Sequence, residues 1–193
     1  MNPTDLSASR DANPQTAIRE VLRAANFAAQ RHAGQRRKGA AGEPYVNHLI
    51  EVAELISSVL IEADTNLIIA ALLHDCVEDA GVKRSEVVDL FGSDVADLVM
   101  EVTDDKSLPK AERKRLQIVN APRKSVRAQA IKLADKISNL RAIVPSPPAD
   151  WSGERKQEYV KWAKQVVDAL PNPDPKLKAE FEATYEKFGP VAG

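Results

Sequence analysis

The sequence predicts an all-α fold, a single-domain helical bundle, and three observations carry that expectation. Apolar residues recur at helical spacing through most segments, as in Ala17, Ile18, Val21, Leu22, Ala25, Ala28 and Ala29. No stretch alternates persuasively at the period of a half-buried strand. Proline and glycine fall mostly where helices begin and end, and no repeat at solenoid spacing is present.

Residues 1–14 read as a disordered leader of small and polar residues, and 15–193 as one domain. The first helix runs from Thr16 to Ala33 and stops at Gly34. A basic loop follows, Gln35-Arg36-Arg37-Lys38-Gly39-Ala40-Ala41-Gly42-Glu43. Pro44 then opens a second helix at its first position, running to about Leu60 and carrying His48. Asp64-Thr65-Asn66 caps a third helix. Its apolar run from Leu67 to Leu73 continues through His74, Asp75, Glu78 and Asp79, with Gly81 as a left-handed stop. On a continuous helix His74 shares a face with Glu78, and Asp75 with Asp79.

Ser85 to Phe91 is a short helix ended by Gly92, and Ser93 caps the next through about Thr103. Asp104 to Leu108 is a loop, and Pro109 starts a strongly charged helix that Pro122 breaks after about Asn120. Its Lys110 to Arg115 run reads as a solvated face. Ser125 caps a helix reaching Ile143, and Pro145 to Pro148 form a rigid connector. Two further helices, about Trp151 to Leu170 and Pro175 to Phe188, pack onto the rest.

At 193 residues the chain can bury a sizeable core, and 44% hydrophobic with 28% charged residues is ordinary for a globular protein. Net charge is −1, so no global field favours nucleic acid or an anionic membrane. The single cysteine, Cys76, excludes an internal disulfide and reads as a small core hydrophobe in a reducing compartment. No signal core or membrane-length apolar run is visible, which points to a cytoplasmic protein without a membrane partner.

The chemistry concentrates in few residues. Carboxylates beside an imidazole at an apolar helix end are costly unless paired or metal-bound, and a helix C-terminus favours a cation. His74-Asp75 therefore offers two metal ligands, with Glu78 and Asp79 a turn away for water chemistry. Asp135 interrupts an apolar pattern of Ile131, Leu133, Ala134, Ile137 and Leu140, where a carboxylate needs a strong partner. The competing reading is a solvated charged ring in which Lys132 and Lys136 pair with Asp135. Likewise His48, with inward-facing neighbours, reads either as a satisfied core histidine or as a ligand. Taken together, His48, His74, Asp75 and Asp135 make a mixed nitrogen and oxygen set on three helices, suited to Mn²⁺, Fe²⁺ or Zn²⁺ in the core cleft. A water on such an ion loses a proton far more readily than bulk water, and a nearby carboxylate can accept it.

The order H…HD…D on a helical chain resembles the HD superfamily of metal-dependent phosphohydrolases. Further motifs sharpen the likeness: Arg31-His32-Ala-Gly-Gln35-Arg36-Arg37-Lys38, Gly42-Glu-Pro-Tyr45-Val-Asn-His48, Ala71-Leu-Leu-His-Asp-Cys-Val-Glu-Asp79, Glu101-Val-Thr-Asp-Asp-Lys106 and Lys132-Leu-Ala-Asp-Lys-Ile-Ser-Asn-Leu140. Together with Glu158-Tyr159-Val-Lys-Trp162-Ala they resemble the hydrolase domain of the RelA/SpoT family, most of all its stand-alone, Mesh-type small alarmone hydrolases, over roughly residues 17–170.

That resemblance implies hydrolysis of the 3′-pyrophosphate of guanosine tetra- or pentaphosphate, (p)ppGpp, to GDP or GTP and pyrophosphate, with one Mn²⁺ per chain. His48, His74, Asp75 and Asp135 would be the metal ligands, and Glu78 and Asp79 would activate the attacking water. Arg37 and Lys38 would flank the nucleotide, Asn139 would hold the ribose or base, and Lys106 and Tyr159 would serve the phosphates and the pocket wall. His32 matches a position that supports the pocket. The loop from Lys38 to Pro44 matches the short, stand-alone form, and the chain has no room for a synthetase domain, so it is expected only to hydrolyse. Two rival functions share these residues: the same chemistry on another nucleotide such as the 2′-phosphate of NADPH, and a non-catalytic (p)ppGpp sensor. A sensor leaves the complete ligand set and both acids without a purpose.

Overall fold

The computed structural model describes residues 13–59 and 64–188. Among them the chain forms ten α-helices and one 3-10 turn, with only an isolated antiparallel bridge between Arg36 and Pro44. The helices are α1 (Pro14–Arg31), α2 (Val46–Ser57), α3 (Thr65–Leu73), α4 (Cys76–Ala80), α5 (Arg84–Phe91), α6 (Ser93–Val102), α7 (Lys110–Asn120), α8 (Val126–Ile143), α9 (Gly153–Asp168) and α10 (Pro175–Glu186). Of the leader expected over 1–14, residues 1–12 lie outside the described residues. Asn13 and Pro14 belong to α1: the Asn13 side chain accepts from the Gln15 amide, and Pro14 stands at the first helical position.

α3 and α8 occupy the centre. α3 packs on α1, α2 and α6, while α8 packs on α2, α6, α9 and α10. From Leu67 to Leu73 the α3 sequence is apolar on every side and is buried accordingly, apart from the half-buried Ile68. Its N-terminus is capped by Asp64, which accepts from the Leu67 amide at 2.9 Å. α8 is capped by Ser125, as its sequence predicts, and buries Ile131, Leu133, Ala134, Ile137 and Leu140. It also buries Lys132, Asp135, Lys136 and Ser138, so the solvated ring considered for Asp135 does not form. No helix among the described residues is long and apolar enough to cross a membrane.

Three local expectations are corrected. The continuous helix through residues 67–80 is two helices with a turn at His74 and Asp75. The His74 imidazole takes the Ala71 carbonyl at 2.7 Å, the acceptor that an unbroken helix would offer to the Asp75 amide. The chain restarts as α4, with Gly81 at φ 68° ending it as expected. Pro44 does not open α2. It sits in the Arg36 bridge, flanked by Arg37 N–H to Glu43 C=O (2.8 Å) and Tyr45 N–H to Gln35 C=O (3.2 Å), where a residue without an N–H is tolerated. Ser93 is the first residue of α6 rather than its cap, a place taken by Gly92.

α9 and α10 complete the core with Val160, Ala163, Val167, Leu177 and Phe181. Phe181 is fully buried, so Phe181→Ala should cost about 3–5 kcal/mol of unfolding free energy in a urea titration. A loss under about 1 kcal/mol would show that α10 is dispensable to the core.

Candidate metal centre

Three elements converge on one buried point. α2 presents His48, the end of α3 presents His74, and α8 presents Asp135, with one ligand atom from each lying within 4.8 Å of the others. Asp75 joins them from the turn. Its Oδ2 is 3.1 Å from His74 Nε2 and 3.6 Å from His48 Nε2, while Asp135 Oδ1 is 3.4 Å from His48 Nε2. The four ligands expected from sequence are thus brought together.

The hydrogen bonds behind the rings assign their tautomers. A carbonyl only accepts, so His74 Nδ1 carries a proton toward Ala71 C=O and Nε2 is the ring nitrogen turned to the cluster. That buried Nε2 has no hydrogen-bond partner. On the other side, the Ser138 hydroxyl donates to Glu51 Oε2 at 2.6 Å and so accepts from His48 Nδ1 at 2.8 Å. Two imidazole Nε2 atoms and two carboxylates therefore face one another. The orphaned nitrogen and this donor set fit a divalent cation of intermediate softness.

The electrostatics show how strongly this cluster draws positive charge. Burial opposes charge on Asp75, yet the two imidazoles hold its carboxyl well below the ordinary range. The Tyr45 hydroxyl donates to Asp75 Oδ2 at 2.6 Å, and burial followed by that carboxylate pushes the phenol far above its usual value. Asp135 is likewise held low against burial, first by Lys136 Nζ at 2.8 Å and then by His48, and it accepts from Asn139 Nδ2 at 2.6 Å. Burial alone would lower the His74 pKa, but Asp75 and Asp135 raise it to about 9, a measure of surplus negative charge in the cluster.

The two acids of α4 sit beside this centre. Glu78 accepts from the Asp104 amide at 3.0 Å and lies 3.7 Å from both Lys106 and Arg113. Burial raises its pKa above the ordinary carboxylate value. Asp79 pairs with Lys106, which the structure therefore places against the acids. His32 stacks on Tyr45 at 5.1 Å, and its partner Gln35 donates to the Asp79 carbonyl at 2.8 Å.

A cleft of about 270 Å³ adjoins the cluster, lined by Arg37, Lys38, Tyr45, Asp79, Asn139 and Tyr159. Arg37 is anchored on α8 through Asn139 Oδ1 (3.2 Å) and the Ser138 carbonyl (3.3 Å). The cleft also holds Lys110, Lys114, Trp151 and Arg155, which sequence reasoning missed. The expected solvated face holds at Lys110, Ala111 and Arg115, which are exposed, while Lys114 is half-buried. Lys110 and Lys114 lie one turn apart on α7, and Lys114 Nζ stands 4.4 Å from the Trp162 ring centre. Burial and then the charges of Arg155 and Lys110 push Lys114 down to about 8. The one available signal was their i, i+4 spacing inside a basic run, which a solvated face shares. Tyr45, Glu51 and Ser138 were missed because their partners are distant in sequence.

Residues 24–166 match the family model described as HD domain. The chain is 47% identical over 163 residues to guanosine-3′,5′-bis(diphosphate) 3′-pyrophosphohydrolase MESH1 of Drosophila melanogaster, covering 84% of this chain and 91% of that protein. It is 46% identical over 170 residues to the protein of the same name from Homo sapiens, covering 88% and 95%. Among solved structures it superposes with TM-score 0.84 on a metazoan ortholog of SpoT described as hydrolysing ppGpp, at 45% identity and covering 88% of this chain and 96% of that one.

Cys76, next to the cluster, is fully buried, and burial followed by the Asp75 charge pushes its thiol up to about 12. Iodoacetamide at pH 8 should leave it unmodified in the native protein and alkylate it fully in denaturant, as read by mass spectrometry. Rapid native labelling would contradict its assignment to the core.

Proposed function

The chain belongs to the HD-domain family, and from that premise we propose that it hydrolyses the 3′-pyrophosphate of (p)ppGpp, releasing GDP or GTP and pyrophosphate. The observation that carries this reading is a buried cluster of imidazoles and carboxylates opening beside a cationic, aromatic-walled cleft. A nucleotide bearing two diphosphates needs many charge-assisted donors, and the cleft concentrates them. The chain acts as one hydrolase domain over 15–193, in the cytoplasm.

His48, His74, Asp75 and Asp135 would hold one divalent cation, Mn²⁺, which when bound lowers the pKa of water and offsets charge on phosphate oxygens. Glu78 and Asp79 orient the attacking water and take its proton, and a carboxyl raised by burial suits that exchange. The water oxygen bonds to the phosphorus on the ribose 3′-oxygen as the bond from that oxygen to phosphorus breaks, and the proton passes to the departing oxygen. Arg37 presents its guanidinium plane to the base while tethered to α8, and Asn139 beside it holds the ribose or base. Lys38, Lys110, Lys114 and Arg155 receive the phosphates, with Tyr159 and Trp151 as walls. Lys106 steadies Asp79 and adds positive charge beside the acids.

Protein stripped of metal and resupplied with Mn²⁺ should release pyrophosphate from ppGpp with GDP as co-product, faster than it releases phosphate from NADPH. Preference for NADPH would reassign the substrate. Glu78→Gln should retain Mn²⁺ in calorimetry while turnover falls by on the order of 10²–10⁴-fold; an unchanged rate would remove Glu78 from the proton transfer. Lys114, held near 8, loses its charge as pH rises, so KM should climb between pH 7 and pH 9. Lys114→Arg, whose charge persists, should flatten that climb. A climb that survives the substitution would place the titration elsewhere.

A further inference from the structure

We propose that Ser138 and Glu51 are positioning residues for the metal ligand His48, an inference that rests on the reading of His48 as a ligand. Ser138 is wholly buried inside α8. A helical serine commonly turns its hydroxyl back onto its own helix, but this one bridges two side chains of α2, 2.8 Å from His48 Nδ1 and 2.6 Å from Glu51 Oε2. A carboxylate can only accept, so the hydroxyl proton points to Glu51 and its oxygen is left to accept from His48 Nδ1–H. That direction permits one tautomer, with the Nε2 lone pair aimed at Asp135 and Asp75.

Glu51 is itself held. Arg141 donates to it at 3.1 Å and also binds Glu180 of α10 at 2.7 Å. A string of polar contacts thus runs from the last helix through α8 to the ring. It orients the imidazole, and the Glu51 carboxylate behind the Ser138 hydroxyl makes Nε2 a stronger electron-pair donor. No side chain of this string lines the cleft, and the one link to it, from the Ser138 backbone carbonyl to Arg37, is kept in a side-chain substitution at 138.

The test is Mn²⁺ affinity, measured by the free-ion paramagnetic resonance signal, together with the unfolding temperature of metal-free protein. Ser138→Ala should weaken binding by about 10–100-fold and Glu51→Ala by a smaller factor, with the double substitution no weaker than Ser138→Ala alone. Ser138→Thr, which keeps the hydroxyl, should restore affinity to within a few-fold of wild type. A packing role would lower the unfolding temperature and leave the folded protein's Mn²⁺ affinity in place, which overturns the inference. So would losses from the two alanines that multiply in full. The Glu51 side chain is about a third exposed, so Glu51→Ala keeps the question open to measurement if Ser138→Ala does not fold, and undiminished affinity there also overturns it. Failure of the unaltered protein to bind Mn²⁺ would instead overturn the metal reading itself.

Discussion

Everything in this protein is arranged around the need to keep two imidazole lone pairs and two ionised carboxylates together out of water. Burying Asp135 is unfavourable by several kcal/mol unless its oxygens are satisfied, and the chain surrounds it with Lys136, Asn139 and His48. Lys136 is buried in turn and has Trp162 beside it, its Nζ 4.6 Å from the ring centre. Even so, His74 Nε2 lies 3.1 Å from Asp75 Oδ2 without a well-directed hydrogen bond. The cluster is locally anionic and incomplete, and a divalent cation resolves both conditions at once.

The helices pay attention to that requirement in their local geometry. α3 stops one residue short of His74, and the imidazole completes the last turn in place of an amide. The break frees Asp75 to turn inward and meet Tyr45. α8 contributes at three successive levels: Asp135 to the cluster, Ser138 behind His48, and Asn139 to both Asp135 and Arg37. One helix therefore ties the anionic centre to the cationic cleft.

The cationic cleft lies beside the anionic cluster, and Asp79, Tyr45 and Asn139 line it on the side of the cluster residues they contact. Lys38, Lys110, Lys114 and Arg155 supply the positive charge of its wall. Partial burial, and after it repulsion from Arg155 and Lys110, leave Lys114 less basic than a free lysine. A polyanionic ligand relieves that repulsion, so the cleft is suited to highly charged nucleotides. On the other flank, Lys106 and Arg113 offset Glu78 and Asp79, and the Asp104 amide fixes where Glu78 points.

Much of this was legible in the residues alone. The helices, the Asp64 and Ser125 caps, the Gly81 stop and the burial of Cys76 follow from local periodicity and backbone preference, which act over a few residues. The buried polar residues His48, His74 and Asp135 stood out because each interrupts an apolar pattern that must face a core. Tertiary structure alone decided the rest. The turn at His74 depends on which acceptor an imidazole reaches, Lys110 and Lys114 face a cleft only because α9 lies across α7, and Ser138 meets His48 and Glu51 only where α2 crosses α8. Periodicity tells which face of a helix is covered, but hydrogen bonds between residues about 90 positions apart depend on how the helices are placed against one another.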